Sequence, residues 1–263
     1  MILRKIAVVA ALLVLAACGS KEEPAAPEPT ESVDAGEALH ALFDEHFERG
    51  LELNPLRATF IGDNRYNDRL AQSYSAAYRA TVEAMDREFL ERLLEIDREQ
   101  LGYQDQLSYD IFRIDREESL EGNEFPTHLQ PLNQFRSMMN FFVQLGSGAS
   151  AHPFKTVKDY DDWLSRVDDF AVNVDQMIEN MKEGMQQGVV QPRILMAKVV
   201  PQLESQIKDD VTQSAFYKPI SNMPEEFSEA DRERLAAAYQ DKIANTIIPA
   251  YARLNNFLGD EYV

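Results

Sequence analysis

The 263-residue sequence contains one cysteine, Cys18, so no intrachain disulfide is possible and no disulfide framework can hold the fold. Histidine is also scarce. His40, His46, His128 and His152 are the only four, and none falls in a His-Glu-x-x-His pattern. That pattern puts two imidazoles on one helical face with a glutamate to activate a metal-bound water. His40 and His46 stand six apart, on different sides of a helix, and do not chelate one ion between them. His128 and His152 adjoin or lie near prolines in loops, where bonding to local backbone is the plain role. No Gly-x-Ser-x-Gly elbow is present, which removes hydrolases that display a serine on that turn. No phosphate-cradling loop follows a strand, because no stretch alternates apolar and polar residues with period two. Basic residues are few as well: 26 Lys and Arg face 45 Asp and Glu, for a net charge of −19. Such a surface repels nucleic acid phosphates and anionic headgroups, and neither is an expected partner. The carboxylates identify nothing by themselves, since so many cannot be sorted into a catalytic pair and a solvated face.

What is present begins at the N-terminus. Arg4 and Lys5 form a positive segment, residues 6–17 form an apolar run, and small residues stand before Cys18. A run of that length rises about 18 Å as a helix against a hydrocarbon core of about 30 Å, so it reads as a secretory signal and not a lasting membrane span. Leu15, Ala16, Ala17 and Cys18 resemble the lipobox of bacterial lipoproteins, in which the signal is cut before the cysteine and the cysteine is acylated. The resemblance implies a signal peptide over residues 1–17 and lipidation of Cys18, with the lipid as the membrane contact. Cleavage would remove Arg4 and Lys5 and deepen the charge to about −21. Gly19 and Ser20 follow where an aspartate would resemble an inner-membrane retention signal, which implies attachment to the outer membrane, facing the periplasm. The competing reading is an ordinary signal cut at another small residue, leaving Cys18 a thiol. Residues 18–35 hold Pro24, Pro27 and Pro29 among Glu, Ala, Ser and Thr, and with so little to bury they read as a flexible tether.

Residues 36–263 read as helix after helix, an all-α array in one domain. Leu39, Leu42, Phe43, Phe47 and Leu51 recur three and four apart, and Asn54 with Pro55 ends that helix before a short turn of helix through Ala58 and Phe60. Tyr78, Val82, Met85, Phe89, Leu93 and Ile96 mark a second apolar face, and Leu107, Ile111 and Ile114 a third, stopped at Gly122 and Asn123. Residues 125–134 hold Pro126 and Pro131 and form an ordered connection. Residues 138–145 form an apolar helix, with a flexible break at Gly146, Ser147, Gly148 and Ala149. From Val157 to Gln187 three columns repeat every seven residues: Tyr160, Val167, Val174 and Met181; Leu164, Ala171, Ile178 and Met185; Trp163, Phe170 and Met177. A face three columns wide is buried against several neighbours rather than exposed as a coiled-coil seam. Thr156 with Asp159 resembles a capping box and Gly188 suits the stop. Pro192 opens a further helix that Pro201 should bend, and Ser228 with Asp231 caps a last helix that Pro249 should kink.

Several segments together resemble the bacterial domain of unknown function 885 family: Asn54, Pro55, Ala58, Thr59 and Gly62 with Tyr66 and Leu70; Tyr160, Trp163, Leu164 and Arg166; and Gly184, Gly188, Pro192, Val199, Gln202 and Leu203. The similarity runs from about Ala38 to the C-terminus. It implies the N-terminal part of a larger helical zincin-like fold, related to helical peptidases that enclose a peptide in a cleft. The family's His-Glu metal helix belongs to the C-terminal half of members about twice this length. The resemblance therefore assigns no catalytic, metal-binding or cofactor-binding residue to any position here, and zinc is expected only in a full-length relative.

Residues 257–263 resemble the middle of a member rather than an end. The domain is thus expected to be incomplete at its C-terminus, as a fragment or as a truncated paralogue, and inactive by itself. A peptide substrate would be shared with the missing half. Faces meant for that half, above all Ile247, Tyr251 and Leu254, are expected to be exposed, so that the isolated chain dimerises or aggregates. The alternative function is a non-enzymatic helical lipoprotein that binds a partner or small ligand in the periplasm.

Acylation of Cys18 has a direct readout. Metabolic labelling with palmitate in a bacterial host should mark the wild-type chain and leave Cys18→Ser unlabelled, with the variant moving from the membrane pellet to the soluble fraction. Label retained by the variant would rule out this site.

Overall fold

In the computed structural model, the described residues are 34–135 and 137–262; the signal, Cys18 and the tether up to Val33 lie outside them. Ten α-helices and no strand appear among the described residues: α1 Ala35–Leu53, α2 Pro55–Phe60, α3 Ala76–Leu94, α4 Tyr103–Gly122, α5 Met138–Gly146, α6 Val157–Gln187, α7 Arg193–Glu204, α8 Lys218–Ser221, α9 Glu229–Lys242 and α10 Ile248–Phe257. None is long and apolar enough to cross a membrane.

Local chemistry sets most of these boundaries. Asp34 accepts from the N–H groups of Gly36 and Glu37 to start α1. Asn54 ends α1 and caps α2, whose first position is Pro55, where a missing N–H costs no helical bond. The capping box of α6 forms as expected, Thr156 and Asp159 each satisfying the other's backbone N–H. Gly188 closes α6 at φ 75°, a backbone conformation that glycine adopts without strain.

The larger core surrounds α6. Two of its three expected columns are buried throughout: Tyr160, Val167, Val174 and Met181, and Trp163, Phe170 and Met177. The third is only partly so: Ile178 is buried, Leu164 and Ala171 are half-buried, and Met185 is exposed. Phe142 stacks on Phe170 with ring centroids 3.9 Å apart and leans on Trp163 at 4.6 Å. Gly146 does not act as a flexible break. It ends α5 so tightly against α6 that a Cβ there would fall 2.3 Å from Trp163 Cζ2 and 2.6 Å from Phe216 Cδ1.

Two expectations about exposed faces are reversed. Ile247, Tyr251 and Leu254 are buried, because α10 packs back on α6 and α7, and the Tyr251 hydroxyl donates to the Met139 carbonyl at 2.7 Å. The apolar face expected to be open is therefore closed by the chain itself. On α4 the opposite holds: Leu107, Ile111 and Ile114 are 39%, 61% and 43% exposed, while Tyr109 faces inward to the smaller core of Leu39, Leu42, Met85, Phe89, Leu93 and Leu101. Phe47 is likewise exposed, and Ile96 lies beyond the end of α3.

The expected final helix runs without interruption over residues 229–262, though not as α-helix throughout. After α9 a π-turn, Ile243–Ile247, leads into α10, and a second covers Leu258–Tyr262. Pro249 lacks an N–H and its ring would strike the carbonyl four residues back; the widened turn just before it relieves that contact. Pro201 lies inside α7.

Gly146→Ala is expected to cost about 1–3 kcal/mol, since the Trp163 and Phe216 rings must move to admit the methyl group. Urea denaturation checks this. A stability equal to wild type would mean that α5 and α6 do not meet this closely.

Candidate functional site

On the flank of its apolar columns α6 carries a polar one, Arg166, Asn173 and Asn180, seven residues apart and all buried. With Asp169 it grips the segment between α2 and α3. Arg166 Nε donates to the Arg69 carbonyl at 3.0 Å, Nη2 to the Thr59 hydroxyl at 2.6 Å and, more weakly, to the Tyr66 carbonyl and Asn67 Oδ1 at 3.3 Å. Asp169 accepts from the Leu70 N–H at 2.9 Å and from Gln72 Nε2 at 3.0 Å. Asn173 donates to the Ala71 carbonyl at 3.0 Å and Asn180 to the Tyr74 carbonyl at 2.8 Å. Four side chains on one helix thus fix a chain segment whose regular structure is a single 3₁₀ turn, Asn64–Tyr66.

Over this segment run two clefts of about 410 and 350 Å³ that share Leu70, Ala71 and Tyr78. The larger is walled by Tyr74, Tyr78, Met138 and Phe141. Burial pushes the Tyr74 phenol up to about 12 and raises Tyr78, so both stay protonated at neutral pH. The backbone N–H groups of Ala71, Gln72 and Ser73 have no intramolecular partner among the described residues. Of these, Ala71 and Ser73 line the larger cleft, so it joins an apolar wall to two residues whose main-chain donors are unpaired, an arrangement suited to binding.

The histidines are engaged elsewhere. His152 Nε2 lies 2.9 Å from the Asp159 carbonyl and Nδ1 lies 2.9 Å from Arg166 Nη1. A guanidinium only donates, so Nδ1 accepts and Nε2 carries the proton. Burial, with Arg166 adding to it, pushes His152 down to about 4. Burial also lowers Arg166 to about 10, which leaves it charged. His46, edge-on to Phe89 and Phe112, accepts from Arg116 Nη1 and is pushed down to about 4 by burial first and that cation second. The same Arg116 nitrogen donates to Asp86 at 2.7 Å, and Ser119 donates to the other oxygen at 2.6 Å, so α1, α3 and α4 meet around one carboxylate. His40 is exposed and raised by its hydrogen bond to Asp105. His128 is lowered by partial burial. Among the described residues no three His, Cys, Asp or Glu side chains group to hold a metal ion. Cys18, the expected lipidation site, is outside the described residues.

The sequence residues expected to carry a family likeness converge on this clamp. Pro55 and Ala58 are buried, Thr59 and Tyr66 meet Arg166, Leu70 meets Asp169, and Gly62 turns the chain at φ 85°. Gly184 lets two carbonyls approach, since a Cβ would fall 2.5 Å from that of Val189 and 3.1 Å from that of Leu129. Over residues 55–263 the sequence matches the family described as bacterial protein of unknown function (DUF885). The chain belongs to this family. The match begins at Pro55 rather than near Ala38, so α1 lies outside it. Among solved structures, the fold of this DUF885 chain is similar to a crystal structure described as the putative lipoprotein from Colwellia psychrerythraea. The TM-score is 0.70 at 14% identity, over 87% of this chain and 41% of that one. The DUF885 chain thus spans about two fifths of the length of that structure. No curated protein matches it.

A missed signal lay in the spacing itself, because Arg166, Asn173 and Asn180 repeat with the same period as the apolar columns. For pH, the sign follows from the two depressed histidines. Between about pH 6.5 and 4 the unfolded chain binds protons that folded His152 and His46 do not, so stability falls as pH drops through that window. His152 alone contributes on the order of 3 kcal/mol. His40, raised and exposed, acts in the opposite sense: its contribution is present below pH 6.5 and lost as pH rises through its folded value. Urea midpoints measured from pH 7 to 4 should fall steeply in wild type and less steeply in His152→Asn. Equal slopes would refute a neutral buried His152.

Proposed function

We propose that this chain is the N-terminal helical region of a zinc-dependent peptidase of the bacterial cell envelope, forming a peptide-binding wall and the scaffold for a metal-bearing C-terminal half. A lipid on Cys18 would hold it to the outer membrane, facing the periplasm. The reading rests most on the groove at Ala71 and Ser73, whose main-chain N–H groups have no partner among the described residues and which share the cleft with the aromatic wall of Tyr74, Tyr78 and Phe141. An extended peptide satisfies such donors with its carbonyls and sets its side chains into an adjoining apolar cleft. Membership in DUF885 and the fold likeness to a much longer chain support a region within a larger protein. His152, Arg166 and Asp169 at the clamp are already bonded within the fold, which favours binding over proton transfer.

A non-enzymatic lipoprotein is favoured by one observation: α10 closes the core, with Ile247, Tyr251 and Leu254 buried and no open face there for a further half. Reading the coding sequence past codon 263 separates the two. A continuation encoding a His-Glu helix supports the peptidase region, and a stop with no such remnant supports the other.

The chain from Cys18 onward is expected to show no metal-dependent peptide hydrolysis and no stoichiometric zinc, yet to bind unstructured peptides saturably. Phe141→Ala should weaken that binding about tenfold, equivalent to about 1.4 kcal/mol. Robust zinc-dependent turnover by this chain would overturn the scaffold role. A folded chain that binds no peptide would overturn the wall.

A further inference from the structure

The cleft beside His152 differs from the others in its charge. It has a volume of about 540 Å³ and is formed by the loop after α5 and by α8, with Lys155 and Lys218 on its lining. No ion pair among the described residues engages either lysine. In a chain with 45 acidic and 26 basic residues this is a departure, and the remaining clefts make it plain. Lys182 and Arg253 share theirs with Asp175, Glu179 and Asp260; Arg57 with Asp44 and Asp115; Arg69 with Glu52 and Asp169. The lining around Lys155 and Lys218 contains no Asp or Glu. Asp159, four residues after Lys155, has its carboxylate turned to the N–H groups of Lys155 and Thr156.

The rest of the lining suits an anion. The Ser150 hydroxyl and the Ser150 and Ala151 N–H groups have no intramolecular partner among the described residues. His152, with both nitrogens occupied, is a neutral wall and does not compete. Gly148 turns the loop at φ 74°, a backbone conformation that favours glycine. Phe154 and Pro219 then give the cleft an apolar side. Its size falls in the range of small-molecule sites, about 300–1,000 Å³. Two ammonium groups are compact point charges, matched to a doubly charged oxyanion.

We propose that this cleft binds a small dianionic ligand, its phosphate or paired carboxylates held between Lys155 and Lys218 and its apolar part against Phe154 and Pro219. The site stands on observations separate from the peptide groove, so each can fail without the other.

Isothermal titration of the full chain with phenyl phosphate, phthalate and inorganic phosphate, at constant ionic strength, tests it. Saturable one-to-one binding of phenyl phosphate or phthalate is expected, tighter than inorganic phosphate, and the tighter of the two identifies a phosphate or a dicarboxylate ligand. Lys155→Gln/Lys218→Gln should weaken binding at least tenfold, while Lys198→Gln/Lys208→Gln, with the same change in charge elsewhere, should leave it unchanged. The single variants give the same readout if the double variant does not fold. No saturable binding of any of the three anions, or equal weakening in both double variants, overturns the proposal.

Discussion

A buried guanidinium that forms no ion pair among the described residues is the constraint on which this fold turns. Arg166 is fully buried, and every acceptor it finds is neutral: two backbone carbonyls, a hydroxyl, an amide oxygen and an imidazole nitrogen. Taking a cation out of water costs several kcal/mol unless hydrogen bonds replace its hydration. That replacement is available only when the segment from Thr59 to Arg69 lies across α6 in one arrangement. The same geometry leaves Leu70 buried in the α6 core and hands the chain on to α3. Each acceptor orphaned by loss of Arg166 would carry a desolvation penalty of about 1–3 kcal/mol, so the clamp holds together or fails together.

The helices were legible because their signals are local. Thr156 and Asp159 need only each other, Gly188 needs only its own φ, and the seven-residue apolar columns of α6 describe a buried face whatever packs on it. What was not legible depends on partners far along the chain. Arg166 and Asn173 look like one edge of a solvated face until residues 69 and 71 are known to lie beside them, about a hundred positions away. On α4 the apolar stripe Leu107, Ile111 and Ile114 pointed the wrong way, because the inward side is taken by Tyr109 and by the Arg116 and Ser119 contacts to Asp86. For α10, likeness to part of a longer protein argued for an open face, and the return of the helix onto α6 closed it.

The same division explains why the family-like residues did not announce a site. Thr59, Tyr66, Leu70 and Arg166 are spread over more than a hundred positions and serve one clamp. They shape the backbone strip that a ligand would meet and do not themselves offer a nucleophile or a base. His152 has a comparable place: neutral, doubly bonded and buried, it joins the start of α6 to Arg166 and forms a wall of the cleft that Lys155 and Lys218 line. One helix therefore organises both depressions, the groove on its polar flank and the cleft at its beginning.

The regular spacing of that polar flank limits how the gene can change. An α-helix turns about 100° per residue, so inserting or deleting one residue between Arg166 and Asn173 would swing everything beyond it a quarter turn or more around the axis. Asn173 and Asn180 would leave the carbonyls of Ala71 and Tyr74 while Arg166 kept its partners, and the buried aromatic columns would rotate out of the core in the same step. Substitutions within α6 can be absorbed one at a time, but its length cannot drift. Related sequences of this family should therefore align without gaps along this helix, and place their insertions in the loops.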